Sequence, residues 1–144
     1  MEIKNIENDP WLLMKDAFEI YGQCMYEASF QEYAEEIDEI CENSDCRIFA
    51  CVDSGEYKGI IALKLTEGDS AAIIGISVRK EFHKNGIGKF MMLSAAENLH
   101  LKTLTAETDE DAVGFYEHIG FSVKPFIRHF NDGDVVRYKC SLSI

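Results

Sequence analysis

The sequence predicts a mixed α/β (α+β) domain in which helices cover a central mixed sheet. Short apolar runs alternate with segments whose apolar residues recur at helical spacing. Glycine, asparagine and aspartate lie between these segments and favour turns. The chain has 144 residues, of which 47% are hydrophobic and 28% are charged. Residues 1–144 are therefore predicted to form a single globular domain.

The first half is predicted to place two helices between a short first strand and a run of three strands. Asp9 is a suitable cap for the first helix and Pro10 suits its first turn. The second helix carries apolar residues at helical spacing, and acidic residues cover much of its remaining surface. The predicted elements are a strand at 2–6, helices at 9–21 and 29–42, and strands at 47–52, 57–66 and 70–78.

The second half is predicted to alternate helices with strands and to end in a hairpin. The segment Asn131-Asp132-Gly133-Asp134 is typical of a hairpin turn. The predicted elements are a helix at 90–99, a strand at 103–106, a helix over about 109–119, and strands at 121–126 and 135–140. The complete predicted order is therefore β-α-α-β-β-β-α-β-α-β-β.

A basic, glycine-containing turn connects the strand at 70–78 to the helix that follows it. Its positive groups are Arg79, Lys80, Lys84 and Lys89, with His83, although the whole chain has a net charge of -12. A glycine-rich turn that opens a helix presents unpaired N–H groups and the positive end of the helix dipole, which together bind phosphate. The turn lacks the third glycine of the dinucleotide fingerprint, and Phe90 follows Lys89 where the Walker pattern needs serine or threonine.

A second motif lies between residues 106 and 121. Thr108 or Asp109 can cap a helix there. The apolar residues at 112, 115, 116 and 119 fall on one face of that helix. Gly120 suits the left-handed position after the helix, and Phe121 then begins a strand.

Both motifs resemble those of the GNAT superfamily of acetyl-CoA-dependent N-acetyltransferases. His83 to Gly88 resembles the family's pyrophosphate loop, [Arg/Gln]-x-x-Gly-x-[Gly/Ala], with histidine in the first place. Ala106 to Phe121 resembles the family's later motif, a strand end followed by A-x-x-F-Y-x-x-x-G-F. The motifs cover roughly the last half of the chain, and the first half matches by element order. The resemblance implies the GNAT fold and an enzyme that transfers an acetyl group from acetyl-CoA to a primary amine by direct attack in a ternary complex.

The resemblance also implies which residues bind acetyl-CoA. Main-chain groups of Ile76 and Val78 would pair with the pantetheine arm. The residues implied to contact the pyrophosphate are His83, Lys84, Asn85, Gly86, Ile87, Gly88 and Lys89. Gly86 and Gly88 are expected because side chains would block the approach of the phosphates. Gly75 has two open explanations, close approach of the ligand or accommodation of a bulky core neighbour.

Tyr116 is the implied general acid, because a phenol with a reference pKa of about 10 stays protonated at neutral pH and can protonate the departing thiolate. Glu107 is the nearest candidate for the general base by sequence, and Glu67 and Asp69 remain alternatives. Asp109 stands where the family often has asparagine, so the chain differs from the family at the usual side-chain contact to coenzyme A. None of the five cysteines lies in either motif, which disfavours a ping-pong route.

The acceptor is expected to be a small-molecule or peptide amine. The segment 27–42 holds seven acidic residues and no basic one, and the family places this segment beside the acceptor. A cationic acceptor is therefore one expectation, and a solvated helix face is the other explanation of the same charges. The rival to the enzyme is a non-catalytic module of the same fold that binds an acyl-CoA or another nucleotide.

The remaining expectations follow from composition. The net charge argues against non-specific nucleic-acid binding, and no apolar run approaches the roughly 18 residues that span a bilayer. An odd number of cysteines without a C-x-x-C pair and with no secretory leader indicates free thiols in the cytoplasm, and the scattered histidines give no metal-ligand spacing. The protein is expected to be a cytoplasmic monomer or homodimer that holds no metal.

Overall fold

The computed structural model describes all 144 residues and contains seven strands and four α-helices. All seven strands form one sheet in the order β1-β2-β3-β4-β5-β7-β6, with β4 and β5 parallel and the other neighbours antiparallel. The predicted fold class and element order are confirmed. The strands are β1 (Glu2–Asn5), β2 (Cys46–Asp53), β3 (Glu56–Thr66), β4 (Ser70–Val78), β5 (Thr103–Thr108), β6 (Ser122–Phe130) and β7 (Gly133–Ser143). The helices are α1 (Lys15–Tyr21), α2 (Phe30–Glu42), α3 (Ile87–Asn98) and α4 (Val113–Ile119).

The first predicted helix is divided in two. Asp9 accepts a hydrogen bond from the Trp11 N–H at 2.9 Å, but Pro10–Leu13 forms a 3-10 turn. Met14 is extended, with φ -100° and ψ 158°, and α1 begins only after it. By contrast α2 begins at a capping box, in which Ser29 Oγ accepts from the Glu32 N–H and Glu32 Oε1 accepts from the Ser29 N–H.

Two apolar clusters cover opposite faces of the sheet. One cluster packs α1 and α2 on β2 and β3 and is formed only by residues between Ile6 and Ala62. The other packs α3 and α4 on the opposite face and reaches from Phe49 to Cys140. Only this second cluster joins residues of β2–β4 to residues of β5 and β7.

The parallel strands β4 and β5 separate soon after they meet. Only three residue pairs join them, from Ser70 with Thr103 to Ala72 with Thr105. A bulge follows immediately in β4, because Leu63 of β3 pairs with Ile73 while Ala62 pairs with Gly75. The remaining halves of β4 and β5 leave a gap that opens toward the start of α3.

The second half of the chain differs from prediction at element ends. Helix α4 begins later than predicted, because the Asp109 carboxylate accepts the Ala112 N–H at 2.9 Å and forms a turn before the helix. The final hairpin is longer than predicted, since β6 and β7 stay paired as far as Phe130 with Gly133 around a two-residue turn. None of the helices has the length and hydropathy needed to cross a membrane.

Candidate active site

The gap between β4 and β5 continues into a cleft of about 1340 Å³ that is closed by the first turn of α3 and by α4. It brings together ten of the eleven residues predicted for the site. These residues are Ile76, Val78, His83, Lys84, Gly86, Ile87, Gly88, Lys89, Glu107 and Tyr116. Asn85 is exposed on the connecting turn and does not line the cleft.

The first turn of α3 faces the cleft with free donors. The first hydrogen bond of the helix runs from the Phe90 N–H to the Gly86 carbonyl at 3.0 Å. The N–H groups of Ile87, Gly88 and Lys89 therefore have no partner within the helix. Together with the helix dipole and the exposed Lys84 and Lys89 side chains, they make this end of the cleft suitable for an anion.

Backbone conformation or packing explains why each of the two positions in the turn is occupied by glycine. Gly86 has φ +74°, the left-handed region that glycine adopts without strain. Gly88 is buried, and a Cβ there would lie 2.8 Å from Cζ of Phe115. Gly88 is therefore needed for the packing of α3 against α4, in addition to the predicted clearance for a ligand.

Gly75 accommodates a bulky neighbour, the second of its two predicted explanations. A Cβ at this position would lie 2.8 Å from Cζ of Tyr21 and 3.0 Å from Sγ of Cys24. The phenol ring of Tyr21, which is fully buried, occupies the space beside the Gly75 backbone. The contact fixes the end of α1 against β4, directly beside the cleft.

His83 is held by the strand that precedes it. Its Nε2 lies 2.8 Å from the Val78 carbonyl oxygen. Because a carbonyl oxygen only accepts, Nε2 carries the proton in this pair. Gln23 Nε2 donates to the same oxygen at 3.3 Å. The Val78 carbonyl thus already has two partners, so any pairing of this group with a ligand requires one of them to move.

Tyr116 is buried, with 7% of the residue exposed, and it lines the cleft. Its ring packs edge-on against Phe115 and Phe121, with centroid separations of 5.3 and 5.2 Å. Burial, and to a smaller degree the thiols of Cys140 and Cys24, raises the pKa of Tyr116 to about 12. The phenol therefore stays protonated at neutral pH and can donate a proton into the cleft.

Glu107 lies at the rim of the cleft with both carboxylate oxygens engaged. Arg128 Nη2 donates to Oε1 at 2.5 Å, and Arg137 Nε donates to Oε2 at 3.3 Å. The hydrogen bond from Arg128 is the largest cause that lowers the pKa of Glu107, and the charges of both arginines add to it. Glu107 is thus ionised but weakly basic. The alternatives Glu67 and Asp69 do not line the cleft.

Three cleft residues that lie outside β4 and outside both motifs were not predicted. Gln23 and Cys24 follow α1, and Arg137 belongs to β7. The Cys24 residue is exposed as a whole, but its thiol is turned into the cleft wall and donates to the Tyr21 carbonyl at 3.1 Å. Burial raises the pKa of the Cys24 thiol to about 12. No local sequence signal marks these residues, because they reach the site from distant parts of the chain.

Known proteins share this sequence pattern and this fold. A sequence model of the acetyltransferase (GNAT) family matches residues 12–121. A Bacillus subtilis (strain 168) protein, uncharacterized N-acetyltransferase YvbK, is 28% identical over 109 residues, which cover 67% of this chain and 68% of that protein.

Two solved structures have the same architecture over 99% of this chain. An aminoglycoside 6'-N-acetyltransferase complexed with coenzyme A matches with a TM-score of 0.75 and 19% identity, over 97% of its own chain. The ribosomal-protein-S18-alanine N-acetyltransferase from Escherichia coli matches with a TM-score of 0.71 and 19% identity, over 93% of its own chain. At these identities the two structures support the fold.

Proposed function

The chain belongs to the acetyltransferase (GNAT) family, and from this premise we propose that it transfers the acetyl group of acetyl-CoA to a primary amine by direct attack in a ternary complex. The observation that carries the proposal is a protonated phenol, Tyr116, in a cleft that ends at the free N–H groups of α3. The two similar structures are named for acetylation of an aminoglycoside and of an alanine. From these two acceptors we infer that the acceptor of this chain is also an amine. We also take residues 1–144 as one domain, because a single sheet runs from Glu2 to Ser143.

Each part of the cleft has a proposed task. The N–H groups of Ile87, Gly88 and Lys89 bind the pyrophosphate, and the ammonium groups of Lys84 and Lys89 add positive charge. The open edge of β4 near Ile76 holds the pantetheine arm. This arrangement directs the thioester toward the Tyr116 side of the cleft.

The reaction then needs one proton donor and one proton acceptor. The neutral amine attacks the thioester carbonyl carbon, the new C–N bond forms, and the C–S bond breaks as the intermediate collapses. Tyr116 donates its hydroxyl proton to the departing thiolate. The lowered pKa of Glu107 makes it a weak base. We therefore assign Glu107 to the positioning of Arg128 and Arg137. The proton of the amine leaves to water, and Tyr116 takes a proton back from water to complete the cycle.

A covalent route through Cys24 is less favourable than direct attack. A cysteine nucleophile reacts as the thiolate, and burial raises the pKa of this thiol to about 12. Only a very small fraction of Cys24 is ionised at neutral pH. The proposed reaction therefore has no acetyl-cysteine intermediate.

The test combines acetyl-CoA binding with thiol release. Acetyl-CoA should raise the melting temperature of the protein, and Lys89→Glu should reduce that increase because it reverses a charge in the binding turn. Lys102→Glu is the matched control, because Lys102 is 82% exposed and its partner Asp69 lies outside the cleft. A panel of amines should then accelerate coenzyme A release. Binding of acetyl-CoA without release for any amine would favour the non-catalytic module.

A further inference from the structure

One face of the sheet beside the cleft carries the side chains of alternate residues of β5, β6 and β7. Cross-strand partners lie on the same face, and Glu107 pairs with Lys139, which in turn pairs with Lys124. The same alternation places Phe126 of β6 opposite Arg137 of β7. We call this surface the basic face. Its charged residues are Glu107, Lys124, Arg128, Arg137 and Lys139.

No helix covers the basic face. Helices α1 and α2 lie on this side of the sheet, but their cluster contains no residue beyond Ala62. Helices α3 and α4 pack against the opposite side, on Leu104 and Cys140. A cavity of about 600 Å³ lies on the uncovered surface, and Glu107 lines both this cavity and the cleft. Lys124 and Lys139 of the basic face also line this cavity, and Arg137 lines the cleft. The basic face therefore borders the proposed site of acetyl transfer.

The positive and negative charges on the basic face do not balance. Glu107 is the single carboxylate paired with both Arg128 and Arg137, and neither Lys124 nor Lys139 has an acidic partner. Lys139 Nζ and Arg128 Cζ instead lie 5.1 and 5.2 Å from the centroid of the Phe126 ring. Four cations thus face one anion, in a protein whose net charge is -12.

The arginines retain donors for a second anion. A guanidinium has five N–H donors, and Glu107 accepts one from Arg128 and one from Arg137. Glu107 fixes the direction of both side chains while leaving the other edge of each guanidinium free. Arg137 is 28% exposed at its side chain and also lines the cleft. A planar fork of this kind matches a carboxylate.

We propose that the acceptor is an amine that also carries a carboxylate, and that Arg137 and Arg128 bind this carboxylate on the basic face. The inference rests on the proposed acetyl transfer and specifies its acceptor class. It reverses the expectation of a cationic acceptor, which depended on the acidic segment 27–42. Six of the seven acidic residues of that segment are exposed, and only Glu36 is half-buried. This exposure is what the explanation by a solvated helix face expects.

The experiment compares acceptors that differ only in the carboxylate. One pair is 4-aminobutanoate and 4-aminobutanamide, which represents small molecules. The other pair is the peptide amides Gly-Asp-Asp-Gly and Gly-Asn-Asn-Gly, which represents acidic peptide N-termini, and spermidine is the cationic comparison. For at least one pair, kcat/KM should be roughly 10- to 100-fold higher for the carboxylate member. The pair that responds identifies the source of the carboxylate.

Variants locate the effect on the basic face. Arg128→Gln with Arg137→Gln should abolish the preference for the carboxylate, Arg137→Lys should retain part of it, and Lys102→Gln should leave it unchanged. Equal kcat/KM within both pairs, or a preference for spermidine, would overturn the inference while leaving acetyl transfer intact.

If no tested amine is acetylated, that result counts against the proposed function alone. A binding measurement then tests the carboxylate site independently of acetyl transfer. Glutarate, a dicarboxylate without an amine, should raise the melting temperature of the wild type in the presence of coenzyme A more than glutaramide does. The doubly substituted variant should lose this difference. The same shift with glutarate and glutaramide would overturn the carboxylate site by itself.

Discussion

Tyr116 combines burial with access to the cleft, and its hydroxyl is the group that the proposed proton donation requires. Tyr116→Phe removes the hydroxyl and keeps the ring contacts with Phe115 and Phe121. Affinity for acetyl-CoA should be retained, and kcat should fall by roughly 100-fold or more, the contribution typical of a general acid. Steady-state kinetics at saturating acceptor measure the change. Because the pKa of Tyr116 is about 12, its titration should not limit activity below about pH 11.

The control for this variant is Tyr57→Phe. Tyr57 stacks on Trp11, with a centroid separation of 3.9 Å, and does not line the cleft. Its hydroxyl can be removed with no expected effect on kcat. If Tyr116→Phe turned over as fast as the wild type, Tyr116 would be a packing residue only.

Glu36 is the one acidic residue of α2 that is not fully exposed. Burial, and then the nearby charge of Glu39, raises the pKa of its carboxyl group. A carboxyl whose pKa is higher in the folded than in the unfolded state destabilises the fold when it ionises, so stability falls as pH rises through the raised pKa. Glu36→Gln should therefore raise the melting temperature at pH 7 by a few degrees at most. The gain should disappear below the unfolded-state value of about 4.3.

The comparison for Glu36→Gln is Asp38→Asn on the exposed side of the same helix. This change also removes one negative charge from α2, so it reports the effect of net charge alone. Thermal melts of both variants from pH 4 to pH 8 separate the two contributions. Identical pH profiles would mean that the burial of Glu36 has no energetic effect.

At the scale of elements, the contact between α1 and β4 depends on Gly75. Gly75→Ala would place a methyl group against the Tyr21 ring and the Cys24 thiol. The substitution should destabilise the protein by about 1–3 kcal/mol, as overpacking of a filled core usually does. Chemical denaturation gives the free energy of unfolding. Tyr21 is expected to move, so affinity for acetyl-CoA should also fall.

Gly114→Ala is the matched control for this prediction. Gly114 lies in α4 and has no neighbour within 4 Å of the position that its Cβ would occupy. Alanine favours a helix over glycine by about 1 kcal/mol. The control should be neutral or stabilising. A similar loss of stability in both variants would show that the Gly75 contact is not specific.

The sequence predicted the limits of those elements whose ends are marked by nearby residues, such as a capping residue. Strand β4 has the predicted limits, and the capping residue Ser29 marks the start of α2. The 3-10 turn after Pro10 was missed, because proline suits the first turn of either helix type. The full length of the final hairpin was missed because most residues of β6 and β7 are exposed on both faces. No alternation of apolar and polar residues then marks the strand ends.

The predictable part of the candidate site is the part that is contiguous in sequence. The basic turn and the Tyr116 motif each lie within 16 residues, and both line the cleft. The partners of Glu107 lie 21 and 30 residues away from it in the sequence. They reach it only because β7 inserts between β5 and β6. Strand order of this kind depends on the packing of the whole sheet, so the ion pairs were not visible in the sequence.

At the scale of the whole molecule, the three residue pairs between β4 and β5 are the only register pairs between the two halves of the sheet. A ligand in the gap should add contacts across it. Acetyl-CoA should therefore slow amide hydrogen exchange in the second half of β4 and in the first turn of α3, since exchange reports local opening. Exchange in β1, which lies at the far edge of the sheet, serves as the internal reference. Unchanged rates in β4 on addition of acetyl-CoA would place the ligand elsewhere.

The two apolar clusters also determine in which parts of the chain the protein can accept substitutions. The cluster beneath α1 and α2 ends at Ala62, whereas the cluster beneath α3 and α4 spans both halves of the sheet. The side of the molecule that is proposed to bind acetyl-CoA therefore has one continuous apolar core. The proposed acceptor side is bounded by two surfaces. One is formed by α1 and α2 and the other by the strands β5–β7, and no apolar cluster joins the two. Substitutions in α2, and in the part of α1 that does not contact Gly75, can thus reshape the acceptor space while the cofactor cleft keeps its packing. A new acceptor can then be acquired without rebuilding the binding of acetyl-CoA.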